Sequence, residues 1–189
     1  MSQSVALSPI AAPAFAIVVA ADEEGGIGNE GKLPWRLSRE MAFFKRLTSE
    51  APPGRQNAVV MGRKTFESIA PKFRPLAQRI NVVLSRDPGY RPEGARSATS
   101  LEHALELLTE TSELGSIFVI GGGQLYRTAL SDARCTRVHL TRVHASFRCD
   151  TRLPALPSDF GRVGLDGPHE EAGVSYTFET YQRDGLPVL

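Results

Sequence analysis

One segment decides the expected fold: Ile117-Phe118-Val119-Ile120-Gly121-Gly122-Gly123, in which an apolar run meets a glycine triplet. A continuous apolar run is typical of a strand that is buried on both faces. The residues that follow predict a helix over 124–130. Glycines between a strand and a helix leave backbone amides free to bind a phosphate, although a tight turn alone would also require them.

Working outward from this segment, strands and helices alternate along most of the chain. Apolar runs predict further buried strands at 15–20, 58–61 and 80–84. The spacing of apolar residues predicts helices at 38–49, 62–69 and 101–108, the first capped by Ser38 and the last by Ser100. Two later strands are predicted at 136–143 and 176–181. This order predicts an α/β fold: a central, mostly parallel β-sheet with an antiparallel C-terminal strand, flanked by helices.

Length and composition agree with one globular domain. The chain has 189 residues, of which 41% are hydrophobic and 23% charged, so it can bury a core. We expect a single domain over 15–189, preceded by a flexible leader at 1–14. The net charge of +1 lacks the basic excess of a nucleic-acid binder, and the apolar run at 15–21 is too short to span a membrane. Two cysteines are typical of a reducing compartment, so we expect a cytoplasmic protein, and we expect it to be a monomer.

Three predicted strands end in groups that suit anions. The ligands of open α/β sheets bind at the carboxyl ends of the strands, where these groups would converge. We therefore expect a phosphate-rich cofactor, and specifically a dinucleotide. The groups are Arg63, Lys64 and Thr65 after one strand, Ser85 and Arg86 after the next, and the glycine triplet.

A second glycine pattern, at 26–31, matches the spacing G-x-G-x-x-G but lacks the context of a dinucleotide fingerprint. That fingerprint requires a helix to begin within it, and Pro34 disfavours helical structure at Leu33. Two interpretations stay open at this point. The segment is either a surface loop or a lid that closes over a ligand.

Glu40 and Phe44 share a face of the predicted helix at 38–49, and Met41 adds an apolar neighbour. Glu40 is either a solvated glutamate or a carboxylate that lines a pocket and binds a paired N–H edge. Arg79 has the same two interpretations, as a surface residue or as a bidentate ligand for a carboxylate. We expect no metal site, because the spacings of Cys135, His139, His144 and Cys149 match no standard zinc pattern.

A set of short motifs follows one another along almost the whole chain. They are Gly26-Ile27-Gly28, Leu33-Pro34-Trp35, the helix with Glu40 and Phe44, 61–69, Arg74-Pro75-Leu76 with Arg79, 81–86, 120–123, Tyr126 and Cys149-Asp150-Thr151. No single motif is specific, but through the whole set, in this order, the chain resembles the dihydrofolate reductase family from about Ala16 to Arg183.

The resemblance implies that the chain reduces dihydrofolate to tetrahydrofolate with NADPH, in one-carbon metabolism, and that antifolate inhibitors bind it. It assigns catalytic roles to Glu40, which binds the pteridine, to Trp35 and Leu33, which lie near a proton-carrying water, and to Thr151, which orients Glu40. The substrate-binding residues that it implies are Val18, Val19, Glu40, Phe44, Lys45, Ile69, Leu76, Arg79, Ile120, Tyr126 and Thr151.

For NADPH, the resemblance places Arg63, Ser85 and Arg86 at the adenosine 2′-phosphate and predicts a cis peptide bond between Gly121 and Gly122. Glu40 departs from many bacterial members, which have Asp, and the family varies at Phe73 and Gly123. The complete cofactor-binding set that it implies is Ala20, Ile27, Gly28, Gly31, Lys32, Leu33, Gly62, Arg63, Lys64, Thr65, Leu84, Ser85, Arg86, Ile120, Gly121, Gly122, Gly123, Gln124, Leu125 and Tyr126.

Two other functions stay open on the sequence. One is a different NADPH-dependent reductase on the same fold, such as one that acts on a ribosylated pyrimidine, against which Glu40 and Phe44 argue. The other is a non-catalytic nucleotide-binding module, which would bind NADPH without consuming it when dihydrofolate is supplied.

Overall fold

The computed structural model describes residues 13–185, so most of the predicted leader at 1–14 lies outside the described residues. The strands are β1 (Phe15–Ala21), β2 (Gly26–Gly28), β3 (Gln56–Gly62), β4 (Ile80–Leu84), β5 (Arg96–Ala98), β6 (Leu114–Val119), β7 (Cys135–Val143), β8 (Thr151–Arg152), β9 (Phe160–Glu171) and β10 (Val174–Arg183). The helices are α1 (Ser38–Ser49), α2 (Arg63–Ser68), α3 (Leu101–Thr109) and α4 (Gly123–Leu130), with a 3-10 turn at Pro71–Phe73.

Eight strands form one sheet in the order β5-β4-β3-β6-β1-β7-β10-β9. The pairs from β5 to β7 are parallel, and β10 and β9 are antiparallel to their neighbours. The predicted fold class is therefore confirmed, with two antiparallel C-terminal strands where the sequence predicted one. The parallel order brings the carboxyl ends of β4, β3, β6 and β1 side by side.

The two faces of the sheet pack against different helices because successive side chains of a strand point to opposite sides. On β3, Ala58 and Val60 join the apolar cluster under α3 and α4. Val59 and Met61 join the cluster that contains Phe44 of α1 and Phe66 of α2. This burial on both faces explains why the parallel strands are continuous apolar runs.

The structure adds three regions of strand that the sequence did not predict: β5, β9 and the pair formed by β2 and β8. Strand β9 forms the edge of the sheet, and most of its side chains are exposed, so it lacks the apolar pattern of a buried strand. The glycine-rich segment contains β2, which pairs with β8 in a separate two-stranded sheet. The segment at 26–31, called the lid below, is therefore ordered in part as a strand that pairs with the segment around β8.

The start of α1 differs from the prediction in a way that matters for the site. Leu37 occupies the N-cap position and has no capping side chain, and Ser38 is the first helical residue. The backbone N–H groups of Ser38 and Arg39 instead donate to the carboxylate of Glu171, at 2.6 and 3.0 Å. A carboxylate at a helix N-terminus satisfies free amides and complements the helix dipole. At α3, by contrast, the predicted cap is confirmed, because Ser100 accepts the N–H of His103.

This contact predicts that Glu171→Ala destabilises the fold, because two amides at the start of α1 lose their acceptor. We expect Tm to fall by about 2–4 °C, the usual response of a domain of this size to loss of a helix cap. The Tm of Glu171→Gln, which retains an acceptor oxygen, should lie between that of the wild type and that of Glu171→Ala. Thermal unfolding followed by circular dichroism measures the effect. The matched control is Glu170→Ala, an exposed neighbour; equal Tm values for the two alanine variants would contradict the capping role.

Candidate active site

The carboxyl group of Glu40 is buried in the first turn of α1, with only 6% of the residue exposed. Burial raises the pKa of this carboxyl to about 7, because the charged form loses its hydration. A hydrogen bond from the Thr141 hydroxyl opposes the shift, since it stabilises the carboxylate. The interpretation as a solvated surface glutamate is therefore wrong. A carboxyl with a pKa near neutrality can both accept N–H groups and exchange a proton.

The expectation that Thr151 orients Glu40 is wrong. Thr151 is exposed on β8, and its hydroxyl donates to Asp150 at 2.8 Å. A Cβ added to Gly123 would come within 2.8 Å of the Thr151 methyl group, so Thr151 packs on the glycine triplet. The partner of Glu40 is Thr141, a buried residue of β7. Alternation along β7 places a polar residue there, but only the packing of α1 on the sheet reveals what it contacts.

The apolar residues that the resemblance assigns to substrate form one wall beside Glu40. Val18, Phe44, Ile69, Leu76 and Ile120 belong to a single cluster on the α1 and α2 face of the sheet. A wall of this kind suits a flat, weakly polar ring system.

Three neighbouring residues have side chains outside this wall. The Val19 side chain packs in the cluster on the opposite face of the sheet. Met41 is 49% exposed, so the apolar surroundings of Glu40 do not come from it. Buried aromatic residues lie near Glu40 instead, since its charge acts on the phenols of Tyr126 and Tyr176. Lys45 is exposed on α1, away from the buried wall.

Arg79 is buried at the far end of the wall, with 9% of the residue exposed. Its guanidinium carbon lies 6.0 Å from the centroid of the Phe44 ring. Burial lowers the pKa of Arg79, and no carboxylate among residues 13–185 pairs with it. A buried cation without an anion is unfavourable, so this arrangement suits a ligand carboxylate.

Trp35 and Leu33 lie where the lid meets α1. Trp35 is buried and packs against Phe147, with ring centroids 5.3 Å apart. Its indole N–H has no hydrogen-bond partner among the described residues. A buried donor without a partner indicates a site for a water or a ligand atom. Leu33 is 46% exposed at the edge of the lid.

Tyr126 connects the wall to the glycine triplet. The hydroxyl of this buried residue donates to the backbone oxygen of Val18 at 2.9 Å. Burial, and secondarily the charge of Glu40, raise the pKa of Tyr126, so the phenol is neutral at physiological pH. A Cβ on Gly121 would lie 3.2 Å from this hydroxyl.

The predicted anion-binding groups converge at the carboxyl ends of β3 and β6. The N–H of Gly62 donates to the oxygen of Gly121 at 2.7 Å, which joins the two strand ends. A Cβ on Gly122 would lie 3.3 Å from the Thr65 hydroxyl. The peptide bond between Gly121 and Gly122 is cis, as predicted. The triplet begins α4, so a cradle without side chains faces the start of a helix, which fits the phosphates of a dinucleotide.

The groups assigned to a 2′-phosphate follow the ends of β3 and β4. Arg63 is exposed, and its guanidinium contacts Glu67 at 2.7 Å and Asp87 at 3.6 Å. Ser85 is buried and accepts the N–H of Asp87 at 3.1 Å. Arg86 is exposed and forms no salt bridge within the described range 13–185. Adjacent parallel strands therefore supply both arginines at one edge of the sheet.

Hydrogen bonds join the lid to the segment that contains β8. The carboxylate of Asp150 accepts the backbone N–H of Glu30 at 2.7 Å, and the backbone N–H of Asp150 donates to the backbone oxygen of Gly28 at 3.0 Å. At the base of the lid, the buried carboxylate of Asp22 accepts N–H groups from Gly26 at 2.6 Å and from Phe147 at 3.0 Å. Neither Asp22 nor Asp150 is among the site residues expected from the sequence.

The remaining residues of the implied cofactor set fall into three groups. Ala20 and Ile27 pack beside the lid and the site. Leu84 and Leu125 pack in the core under α3 and α4, so their side chains stabilise the fold. The solvent-facing members are Gly31, Lys32, Lys64 and Gln124.

Within residues 13–185, His, Cys, Asp and Glu side chains form no group of three that could bind a metal ion. Over the same residues, the helices are too short or too polar to cross a membrane.

Comparison with known proteins agrees with this geometry. A family model described as dihydrofolate reductase matches residues 14–183. A dihydrofolate reductase of Aedes albopictus is 36% identical over 180 residues, which cover 89% of this chain and 97% of that protein. A bifunctional dihydrofolate reductase-thymidylate synthase of Glycine max is 42% identical over 177 residues, and the chain spans 33% of that longer protein.

A solved structure extends the likeness to three dimensions. Schistosoma mansoni dihydrofolate reductase matches with a TM-score of 0.80 and 36% sequence identity, over 90% of this chain and 98% of that chain. The family match, the relatives and the shared fold all cover most of the described residues. The chain belongs to the dihydrofolate reductase family.

Proposed function

We propose that the chain reduces 7,8-dihydrofolate to 5,6,7,8-tetrahydrofolate with NADPH. The observation that carries the proposal is the buried Glu40 carboxyl at the end of an apolar wall, beside a glycine cradle. The wall suits the flat pteridine, and the cradle suits a dinucleotide. When bound, NADPH supplies the hydride.

Glu40 binds the pteridine through its paired N–H groups, as a carboxylate does with a planar donor edge. In the dry environment under α1, the negative charge of Glu40 raises the basicity of the ring nitrogen that gains a proton. Thr141 holds the carboxylate in place through its hydroxyl. The unpartnered indole N–H of Trp35 binds the water that delivers the proton, and Leu33 limits access of bulk water from the lid.

Phe44, Ile69 and Leu76 enclose the rings of the substrate, and Arg79 binds a carboxylate of its glutamate tail. The free donors of a buried guanidinium favour a bidentate anion over a neutral group. Recognition is thereby divided between Glu40 at one end of the wall and Arg79 at the other.

On the cofactor side, Thr65 and the amides after Gly121 hold the pyrophosphate, and Arg63 and Arg86 bind the 2′-phosphate. The two arginines favour NADPH over NADH because the additional dianion requires cationic partners. We further propose that the protein is a cytoplasmic monomer that binds antifolate inhibitors, which the same apolar wall and acid would recognise.

The proposal predicts that Glu40→Gln lowers turnover of dihydrofolate at pH 7 by about 100-fold or more, the usual contribution of a positioned acid or base. The amide retains the shape but cannot carry the negative charge. We expect a smaller loss at acidic pH, where solvent protonates the substrate directly. NADPH oxidation followed spectrophotometrically measures both.

The matched control for this variant is Glu106→Gln on the exposed face of α3, which should retain full activity. Equal turnover by wild type and Glu40→Gln would remove Glu40 from the mechanism. NADPH binding without consumption by the wild type would instead favour the non-catalytic module.

The cofactor assignment predicts that the double variant Arg63→Ala/Arg86→Ala loses affinity for NADPH by about ten-fold or more while its affinity for NADH changes little. Titration of each cofactor by fluorescence gives the two dissociation constants. Arg127→Ala, an exposed arginine of α4 without a side-chain partner among the described residues, is the control. An equal loss for both cofactors would reject the 2′-phosphate assignment.

A further inference from the structure

Thr48, near the end of α1, is fully buried although its side chain is polar. Its hydroxyl donates to the backbone oxygen of Phe44 at 2.8 Å, one turn earlier in the same helix. The oxygen of the same hydroxyl accepts a hydrogen bond from Arg79 Nη1, also at 2.8 Å. Thr48 therefore connects the buried arginine to the helix that contains both Glu40 and Phe44.

The guanidinium of Arg79 is fixed by neutral acceptors. Arg79 Nε donates to the backbone oxygen of Ala77 at 3.0 Å, and Nη1 donates to Thr48. Because the guanidinium is planar, two anchored donors on different nitrogens define the orientation of the whole group. Its other N–H groups form no hydrogen bond within residues 13–185, so the charge and a fork of donors are left for an anion.

A hydroxyl at position 48 affects Arg79 differently from a carboxylate or a methyl group. A carboxylate in this place would orient Arg79 but would also neutralise it and compete with a ligand. A methyl group would remove one of the two anchors of the guanidinium and leave only the bond to Ala77, so a ligand would have to complete its ordering on binding. A threonine hydroxyl fixes the guanidinium and leaves its charge intact.

We propose that Thr48 is a positioning residue that presets Arg79 for the carboxylate of the substrate tail. This inference rests on the proposed function, because it requires a substrate with both a ring and an anionic tail. The chain of hydrogen bonds from Arg79 through Thr48 to the Phe44 backbone sets the distance between the tail-binding group and the ring-binding wall. Thr48 thus acts on recognition of the tail and does not touch the ring.

The test compares two ligands, dihydrofolate and 6-methyl-7,8-dihydropterin, which has the same ring but no aminobenzoylglutamate tail. Dissociation constants are measured by quenching of the fluorescence of Trp35, the single tryptophan of the chain. We expect Thr48→Val to weaken dihydrofolate binding by about ten-fold, the usual scale for losing the preorganisation of one side chain. Binding of the tail-free pterin should not change, and Thr48→Ser should restore the wild-type value.

A matched control comes from α3, where the hydroxyl of Thr109 also donates to a helix carbonyl, that of Leu105, but contacts no arginine. Thr109→Val should leave both dissociation constants unchanged. If Thr48→Val does not fold, Thr48→Ala replaces it with the same expectation. Unchanged dihydrofolate binding, or an equal loss for both ligands, would overturn the positioning role.

If the proposed function is wrong, the wild-type protein itself gives a different result. Wild-type protein that turns over neither ligand with NADPH would reject the reductase assignment, whatever the Thr48 variants do. Wild-type protein that binds dihydrofolate no more tightly than the tail-free pterin would overturn the inference at its premise, because Arg79 would then contribute nothing to the tail.

Discussion

The removal of one carboxyl group from water is the constraint on which the site depends. Glu40 is buried between α1 and β7, and a buried carboxyl is tolerated only where its surroundings are fixed. The structure fixes α1 at both ends. Glu171 binds the free amides at its start, and Thr48 ties its end to Arg79. Contacts with the last residue of β9 and with Arg79, the residue before β4, thus hold both ends of the helix that positions the acid.

The positions of the other site residues follow from the parallel order of the sheet. The ends of β4, β3 and β6 lie side by side, so glycine amides and arginines that are far apart in sequence meet at one edge. The lid is held in place because Asp22 and Asp150 accept hydrogen bonds from its backbone. The glycine triplet follows β6, and Thr141, the partner of Glu40, lies on β7, with only β1 between these two strands.

Most of the fold could be predicted from the sequence, and each feature that the prediction missed has a physical reason. The buried parallel strands were predictable because apolar runs mark them directly. The partner of Glu40 was not: Thr151 belongs to a recognisable motif, yet Thr141 occupies the position because strand register and helix packing decide which side chains meet. Glu171 lies more than a hundred residues from the helix that it caps, so no local pattern reveals the contact. Strand β9 was missed because its exposed edge carries no apolar alternation.

The measurement that tests the central claim most directly is the titration of the Glu40 carboxyl in the ligand-free protein. Carbon-13 NMR of the labelled side chain, assigned by its absence in a Glu40→Gln variant, reports the ionisation of this group alone. The account predicts a pKa of about 7, because burial disfavours the charged form more than the Thr141 hydrogen bond restores it. A pKa at the ordinary value of 4.5 would show a solvated carboxylate and would contradict the account.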